Sequence, residues 1–166
     1  PQHEGVLGLA LSPEFLSGKG KNYVYTAYTY KNDKDEEFAR IVRLTYDKKS
    51  DKLTNETVIL DKLPGSSDHN SGRLIFGPDK KLYYTIGDQG HNQGKYLDKL
   101  IESQRTATAQ EVAKKDFSSY PGSTLRLNTD GSIPKDNPVI NGVRSHIYTY
   151  GHRNAQGLVF VENNLF

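Results

Sequence analysis

Residues His69–Gln93 read HNSGRLIFGPDKKLYYTIGDQGHNQ. Two apolar, β-branched and aromatic runs, RLIF and KLYYTIG, flank GPDKK, whose Pro-Asp pair is a turn signal. That pattern predicts an antiparallel hairpin turning at Pro78-Asp79-Lys80. Pairing runs back symmetrically from the turn, so Arg73 falls near Thr85 and His69 near Asp88 and Gln89. The polar residues therefore collect at the end away from the turn. Asp68, His69 and Asn70 meet Asp88, Gln89, His91, Asn92 and Gln93 there. A carboxylate beside an imidazole fixes its tautomer and supports proton transfer. The plainer alternative is that Asp88 caps the IGDQG turn and His69 is a loop histidine.

Working outward, the same texture recurs. VLGLAL (6–11), YVYTAYTY (23–30), ARIVRLTYD (39–47), TVIL (57–60), STLRLN, HIYTYG and GLVFV are short β-prone runs between turn residues, the signature of an antiparallel all-β fold. GLALSPEF, GRLIFGPDKKLYY and GLVFVENNLF share a glycine, an apolar strand and a polar turn. This weak internal echo favours a β-propeller of four-stranded sheets over a sandwich. The stretch at about 94–121 lacks period-2 alternation and reads as an insertion of loop and short helix. Within it, Thr108-Ala-Gln-Glu111 has capping-box spacing for a helix running to Lys115. The whole of 1–166 is expected to be a single, partial propeller domain.

Composition sets outer limits. The 166 residues carry a net charge of +2 with basic and acidic residues interspersed, so a nucleic-acid surface is not expected. Cysteine is absent, which excludes disulfides and thiolate metal sites. No apolar run approaches the roughly 20 residues of a membrane-spanning helix. There is no methionine, the chain opens on PQHEG, and GLVFVENNLF ends it mid-pattern, so we expect an internal piece of a longer protein. Asn128, Asp130 and Asp136 superficially resemble a calcium loop, but the closing glutamate and spacing are missing, and 129–132 reads as a tight turn. The tyrosines at 23–30 read as strand packing. In YGHRNAQG (150–157), Arg153 offers a planar fork suited to carboxylate or phosphate, and Asn154 adds donors and an acceptor. A polar turn with one surface arginine is the alternative.

SSDHNSGRLIFGPDKKLYYTIGDQGHNQ (66–93), GSTLRLNTDGSIPKDNP (122–138) and SHIYTYGHRNAQGL (145–158), in that order and with EGVLGLALSPEF ahead of them, resemble the soluble quinoprotein glucose dehydrogenases of the glucose/sorbosone dehydrogenase family. The resemblance implies a six-bladed β-propeller, of which this chain is about three blades. It implies oxidation of an aldose at C1 to the lactone, with hydride passing to pyrroloquinoline quinone (PQQ) and electrons then to an external acceptor. By resemblance His69 is the general base and Asp88 its orienting carboxylate. Asp68, Gln93 and His3 line the sugar side. Arg153, Asn154 and Gln93 contact PQQ. Calcium is implied as a cofactor with ligands outside this stretch, so no metal ligand is assigned within it and the chain alone is expected to be inactive. An extracellular or periplasmic location is implied, and a homodimeric parent is compatible with it. Two departures bear on sugar preference: His3 replaces the family's cleft glutamine, and His91 stands where relatives carry arginine. The competing expectation is a propeller that binds carbohydrate or protein without catalysis.

Overall fold

The structure is a computed structural model that describes residues 4–166, the Lys95 side chain apart. His3, expected at the sugar side, lies outside the described residues. Two four-stranded antiparallel sheets form. The first runs β1 (Val6–Leu11), β2 (Tyr23–Lys31), β3 (Glu37–Asp47) and β4 (Lys52–Pro64). The second contains β5 (Ser71–Phe76), β6 (Leu82–Ile86), β7 (Ser123–Leu127) and β10 (Ile147–Tyr150), with the short hairpin β8 (Val139–Ile140) and β9 (Val143–Arg144) looping out before β10. A last hairpin, β11 (Phe160–Val161) with β12 (Asn164–Leu165), follows.

In both large sheets each strand pairs with the next strand of the sheet in chain order. Such meanders are propeller blades, whereas sandwiches exchange strands between sheets by Greek-key connections. The described residues thus form two four-stranded blades and one further two-stranded hairpin, where about three blades were expected. The run TVIL belongs to a far longer strand, Lys52–Pro64, and of GLVFV only Phe160–Val161 pairs. The β8–β9 hairpin was not legible as strand, because two-residue arms carry no periodicity.

The first strands of the two sheets, β1 and β5, lie side by side. Glycine permits that approach. A β-carbon at Gly8 would sit 2.2 Å from the Gly72 carbonyl oxygen, and one at Gly72 would sit 2.3 Å from Leu7 Cβ. Between the sheets lies one core containing Tyr25, Ile41, Leu63, Leu74, Leu82, Tyr84, Leu125, Leu127 and Ile147. Tyr25 meets Phe76 edge to face at 5.3 Å, joining the sheets. The tyrosine run is therefore packing in part, as its strand pattern suggested. Every residue of β6 and β7 is buried. Each such apolar side chain contributes about 1.5–3 kcal/mol on transfer from water.

Polar joints fix the loops. Arg126 on β7 is buried and bonds Asp79 of the hairpin turn (2.9 Å), Asn137 (2.8 Å) and Asp136 in bidentate fashion (2.9 and 2.8 Å). Asp136 is thus an arginine partner, and that guanidinium holds its carboxyl down at about 2. Asp130 accepts from the Ser132 amide and hydroxyl within the tight turn. Among the described residues no cluster of three or more His, Cys, Asp or Glu could hold a metal.

The insertion carries two single turns, Gly94–Tyr96 and Glu102–Gln104, and helix α1 (Ala109–Lys114). Thr108 Oγ1 accepts from the Glu111 amide at 3.2 Å, and the Glu111 carboxylate accepts from the Thr108 amide at 2.8 Å. Thr108→Ala is expected to lower stability by about 1 kcal/mol in urea unfolding, and Thr108→Ser to leave it nearly unchanged.

A second joint, His146, donates from Nε2 to the Gly131 carbonyl (2.9 Å) and accepts at Nδ1 from the Tyr120 hydroxyl (3.0 Å). Burial pushes its pKa below the ordinary 6.5. The unfolded chain takes up this proton first as pH falls, so stability is full above about 6.5 and declines below it until the folded pKa is passed. Thermal unfolding followed from pH 8 downward is expected to show that decline, and His146→Gln is expected to flatten it. An unchanged slope in the variant would assign the decline to other groups.

Candidate active site

The loop from β4 to β5 is built against its own backbone preference. His69 (φ 45°) and Ser71 (φ 55°) are left-handed, and Gly72 follows at φ 104°. Non-glycine residues in this region cost about 1–3 kcal/mol each unless the surroundings hold them. Here they do. Asn70 closes the loop on itself, its Oδ1 accepting from the Ser66 amide (2.9 Å) and its Nδ2 donating to the Ser66 carbonyl (2.5 Å). Thr85 Oγ1 accepts from the amides of Gly72 (3.2 Å) and Arg73 (2.9 Å) across a bulge in the β5–β6 pairing. Asn154 Oδ1 accepts from the Ser71 amide (3.0 Å) and hydroxyl (3.1 Å). Tyr96, from the insertion, bonds the Ser67 hydroxyl at 2.8 Å.

This scaffold aims His69 at the far end of the hairpin. Its Nδ1 lies 2.7 Å from Asp88 Oδ1, and both residues are buried. The register read from the turn holds as far as Leu74–Tyr84 and then slips by one at the bulge, where the Arg73 amide still reaches the Thr85 hydroxyl. Asp88 also accepts from the Gly90 amide at 3.0 Å. The two readings of Asp88, turn cap and imidazole partner, are both realised in one carboxylate. An ionised carboxylate only accepts, so Nδ1 carries the proton and Nε2 presents the lone pair. Asp68 Oδ1 lies 3.7 Å from that Nε2 and also accepts from the His69 amide (2.8 Å).

Gln93 joins the group. Its Nε2 is 3.2 Å from His69 Nε2 and 3.3 Å from Asp68 Oδ2, and its Oε1 accepts from the Arg153 guanidinium. Arg153 is exposed at the rim, and its carbonyl accepts from the Asp88 amide at 2.7 Å. Among the described residues no carboxylate pairs with the Arg153 guanidinium. Beside the pair, His91 Nδ1 is buried without a hydrogen-bond partner among the described residues, and burial depresses that histidine's pKa.

The structure therefore brings His69, Asp88, Asp68, Gln93 and Arg153 into one network. Asn154 is adjacent but engages Ser71 through its oxygen. Asn70, Thr85 and Tyr96 position the site and had no assigned role in the sequence. Asn70 stood in the right cluster without a distinguishing signal, and Thr85 and Tyr96 read as an ordinary strand residue and an ordinary loop residue. Chemically, the arrangement offers an imidazole oriented by one carboxylate, a second carboxylate beside it, and an exposed guanidinium that no described carboxylate pairs.

Four-stranded meander sheets with a buried imidazole–carboxylate pair at the end of one hairpin place the chain among the β-propellers. A family model described as Glucose / Sorbosone dehydrogenase matches residues 2–166, and the chain belongs to that family. Quinoprotein glucose dehydrogenase B of Acinetobacter calcoaceticus is 53% identical over 164 residues, covering 96% of this chain and 34% of that protein. The PQQ-bound aldose sugar dehydrogenase of Streptomyces coelicolor superposes with a TM-score of 0.75 at 34% identity, covering all of this chain and 42% of that one. Human Hedgehog-interacting protein is 26% identical over 164 residues, covering 89% of this chain and 21% of that protein. The chain thus spans about a third of the Acinetobacter protein's length. Its structural neighbours are β-propeller sugar dehydrogenases, and membership of their family supports a sugar dehydrogenase role.

Proposed function

We propose that this chain supplies the base-bearing wall of a PQQ-dependent aldose dehydrogenase that oxidises a sugar, glucose foremost, at C1 to the lactone. The observation that carries this reading is the 2.7 Å bond between His69 Nδ1 and Asp88, which leaves Nε2 as the basic nitrogen within a few ångströms of Asp68 and Gln93. His69 Nε2 takes the proton of the anomeric hydroxyl as the C1–H bond gives up its hydride. Asp88 holds the ring and offsets the positive charge it gains. Asp68 and Gln93 have the acceptors and donors to fix the sugar's neighbouring hydroxyls.

The donor set fits the cofactor. Arg153 carries a charge that no described carboxylate neutralises, and a planar tricarboxylate such as PQQ can take its paired N–H donors. PQQ, when bound, would accept the hydride, which carries both electrons of the oxidation. A guanidinium at that place also favours the build-up of negative charge there. Asn154 would serve the same surface with its amide nitrogen while its oxygen holds Ser71. We further infer that calcium, the external electron acceptor's site and the opposite cleft wall depend on the additional length seen in relatives, that activity needs that length, and that the protein works outside the cytoplasm.

The test is dye-linked oxidation of glucose and other aldoses by the full-length protein with PQQ and calcium added. Sugar-dependent dye reduction that requires PQQ is the expected result. A second reading, a binding propeller without turnover, is favoured by the relationship to Hedgehog-interacting protein. Complete absence of PQQ-dependent oxidation across the aldoses would decide for it.

A further inference from the structure

We propose that the insertion at 94–121 is a buttress for the loop that carries Arg153, and that Arg105 is the positioning residue that locks it, an inference that rests on the cofactor reading above. The loop at 151–154 lies exposed or half-buried beyond the end of β10, so hydrogen bonds rather than burial hold it in place. The Arg153 carbonyl accepts from the Asp88 amide (2.7 Å), and the His152 amide donates to the Gly122 carbonyl (2.9 Å). The Gly151 amide donates to the Ser103 carbonyl (2.9 Å), which belongs to the single turn Glu102–Gln104 of the insertion. Ser103 is itself buried. Gly122 shows how closely the pieces meet. A β-carbon there would lie 2.3 Å from Ser103 Cβ and 2.4 Å from the His152 carbonyl oxygen. The turn, the loop and the approach to β7 converge on that glycine.

A three-residue turn has too few internal bonds to keep its place alone. Arg105 pins it. Its amide donates to the Glu102 carbonyl (2.8 Å), and its guanidinium donates to the Glu102 carboxylate, to Glu111 Oε1 (2.6 Å) and to the Ser118 hydroxyl (3.3 Å). Glu111 is already anchored, because its other carboxylate oxygen closes the capping box with Thr108. Ser118 lies between Phe117 and Tyr120, whose rings are buried in the core. One guanidinium therefore ties the turn to the start of α1 and, through Ser118, to the core. Without it, the Glu102 and Glu111 carboxylates drawn to the same fork face each other uncompensated, and like charges so placed repel. The turn is pushed away from the helix, and the Ser103 carbonyl withdraws from Gly151. The bonds to Asp88 and Gly122 still keep the loop near. The loss therefore falls on how well the Arg153 guanidinium meets a carboxylate, and less on folding.

The experiment compares the full-length protein with its Arg105→Gln, Arg105→Lys and Asp130→Ala variants. Asp130 closes a tight turn beyond the far end of β7 and controls for a general loss of stability. Amide hydrogen exchange is read first, without PQQ. In Arg105→Gln the Gly151 amide is expected to exchange about tenfold faster relative to the buried Leu125 amide, as local opening does, and in Asp130→Ala that ratio is expected to keep its wild-type value. A PQQ titration follows. Its Kd is expected to rise roughly 3–30-fold in Arg105→Gln, the span of coupling through a packed network. Arg105→Lys is expected to fall between, because an ammonium keeps the charge without the fork. An exchange ratio unchanged in Arg105→Gln overturns the buttress. So does a PQQ affinity that Arg105→Gln leaves at its wild-type value, or one that Asp130→Ala lowers equally. A full-length protein that binds no PQQ removes the cofactor reading alone, and the exchange ratio still decides the buttress.

Discussion

Replacing His69 with alanine is expected, on the function proposed above, to lower kcat for PQQ-dependent glucose oxidation in the full-length protein by roughly 10³-fold, within the span of about 10²–10⁴ that a positioned general base contributes. The argument is geometric. In the proposed reaction Nε2 is the acceptor that the Asp88 bond leaves, and neighbouring Asp68 and Gln93 are given the task of orienting the sugar. Alanine removes the acceptor and leaves Asp68, Gln93 and Arg153 in place, so PQQ affinity should change little and the loss should fall on kcat. Asp88→Asn is expected to be milder, because the base survives while its tautomer and orientation are no longer enforced. A His69→Ala enzyme turning over at a rate close to that of wild type would sink the assignment of the base, whatever the family.

The second large effect is on stability. Gly87→Ala is expected to destabilise the protein by about 3 kcal/mol and lower Tm by roughly 6–12 °C for a chain of this size. A β-carbon at Gly87 would lie 1.7 Å from the His69 carbonyl oxygen. Neither side can yield cheaply. Gly87 donates to the Asn70 carbonyl (3.2 Å) and accepts from the Gly122 amide (2.9 Å), while the His69 carbonyl accepts from the Gln89 amide. The clash presses on His69, the base proposed above, so activity should fall beyond what unfolding explains. Gly157→Ala is the control: its β-carbon meets nothing within 4 Å, and a change below about 0.5 kcal/mol is expected. Equal Tm values for the two variants would show that the His69 loop is free to move.

Much of this site was legible because it is local to one hairpin. A Pro-Asp turn sets the register, the register decides which residues face each other, and nineteen positions of separation collapse to a 2.7 Å bond. The capping box at Thr108 was readable for the same reason, since its partners lie within one helical turn.

What the sequence by itself determined is therefore the positions of the main strands, the turn at Pro78–Lys80, the imidazole–carboxylate pair, and the family through its ordered motifs. Only the tertiary structure decided how YGHRNAQG divides its work, with Arg153 reaching Gln93 sixty residues away and Asn154 reaching Ser71 eighty-three away. It alone showed that Asp136 belongs to Arg126, that Asp88 is cap and partner at once, and that Gly8 and Gly72 let two blades touch. The physical reason is range. Backbone geometry propagates along a hairpin in fixed steps, whereas contacts between blades depend on how whole sheets pack, which no spacing along the chain encodes.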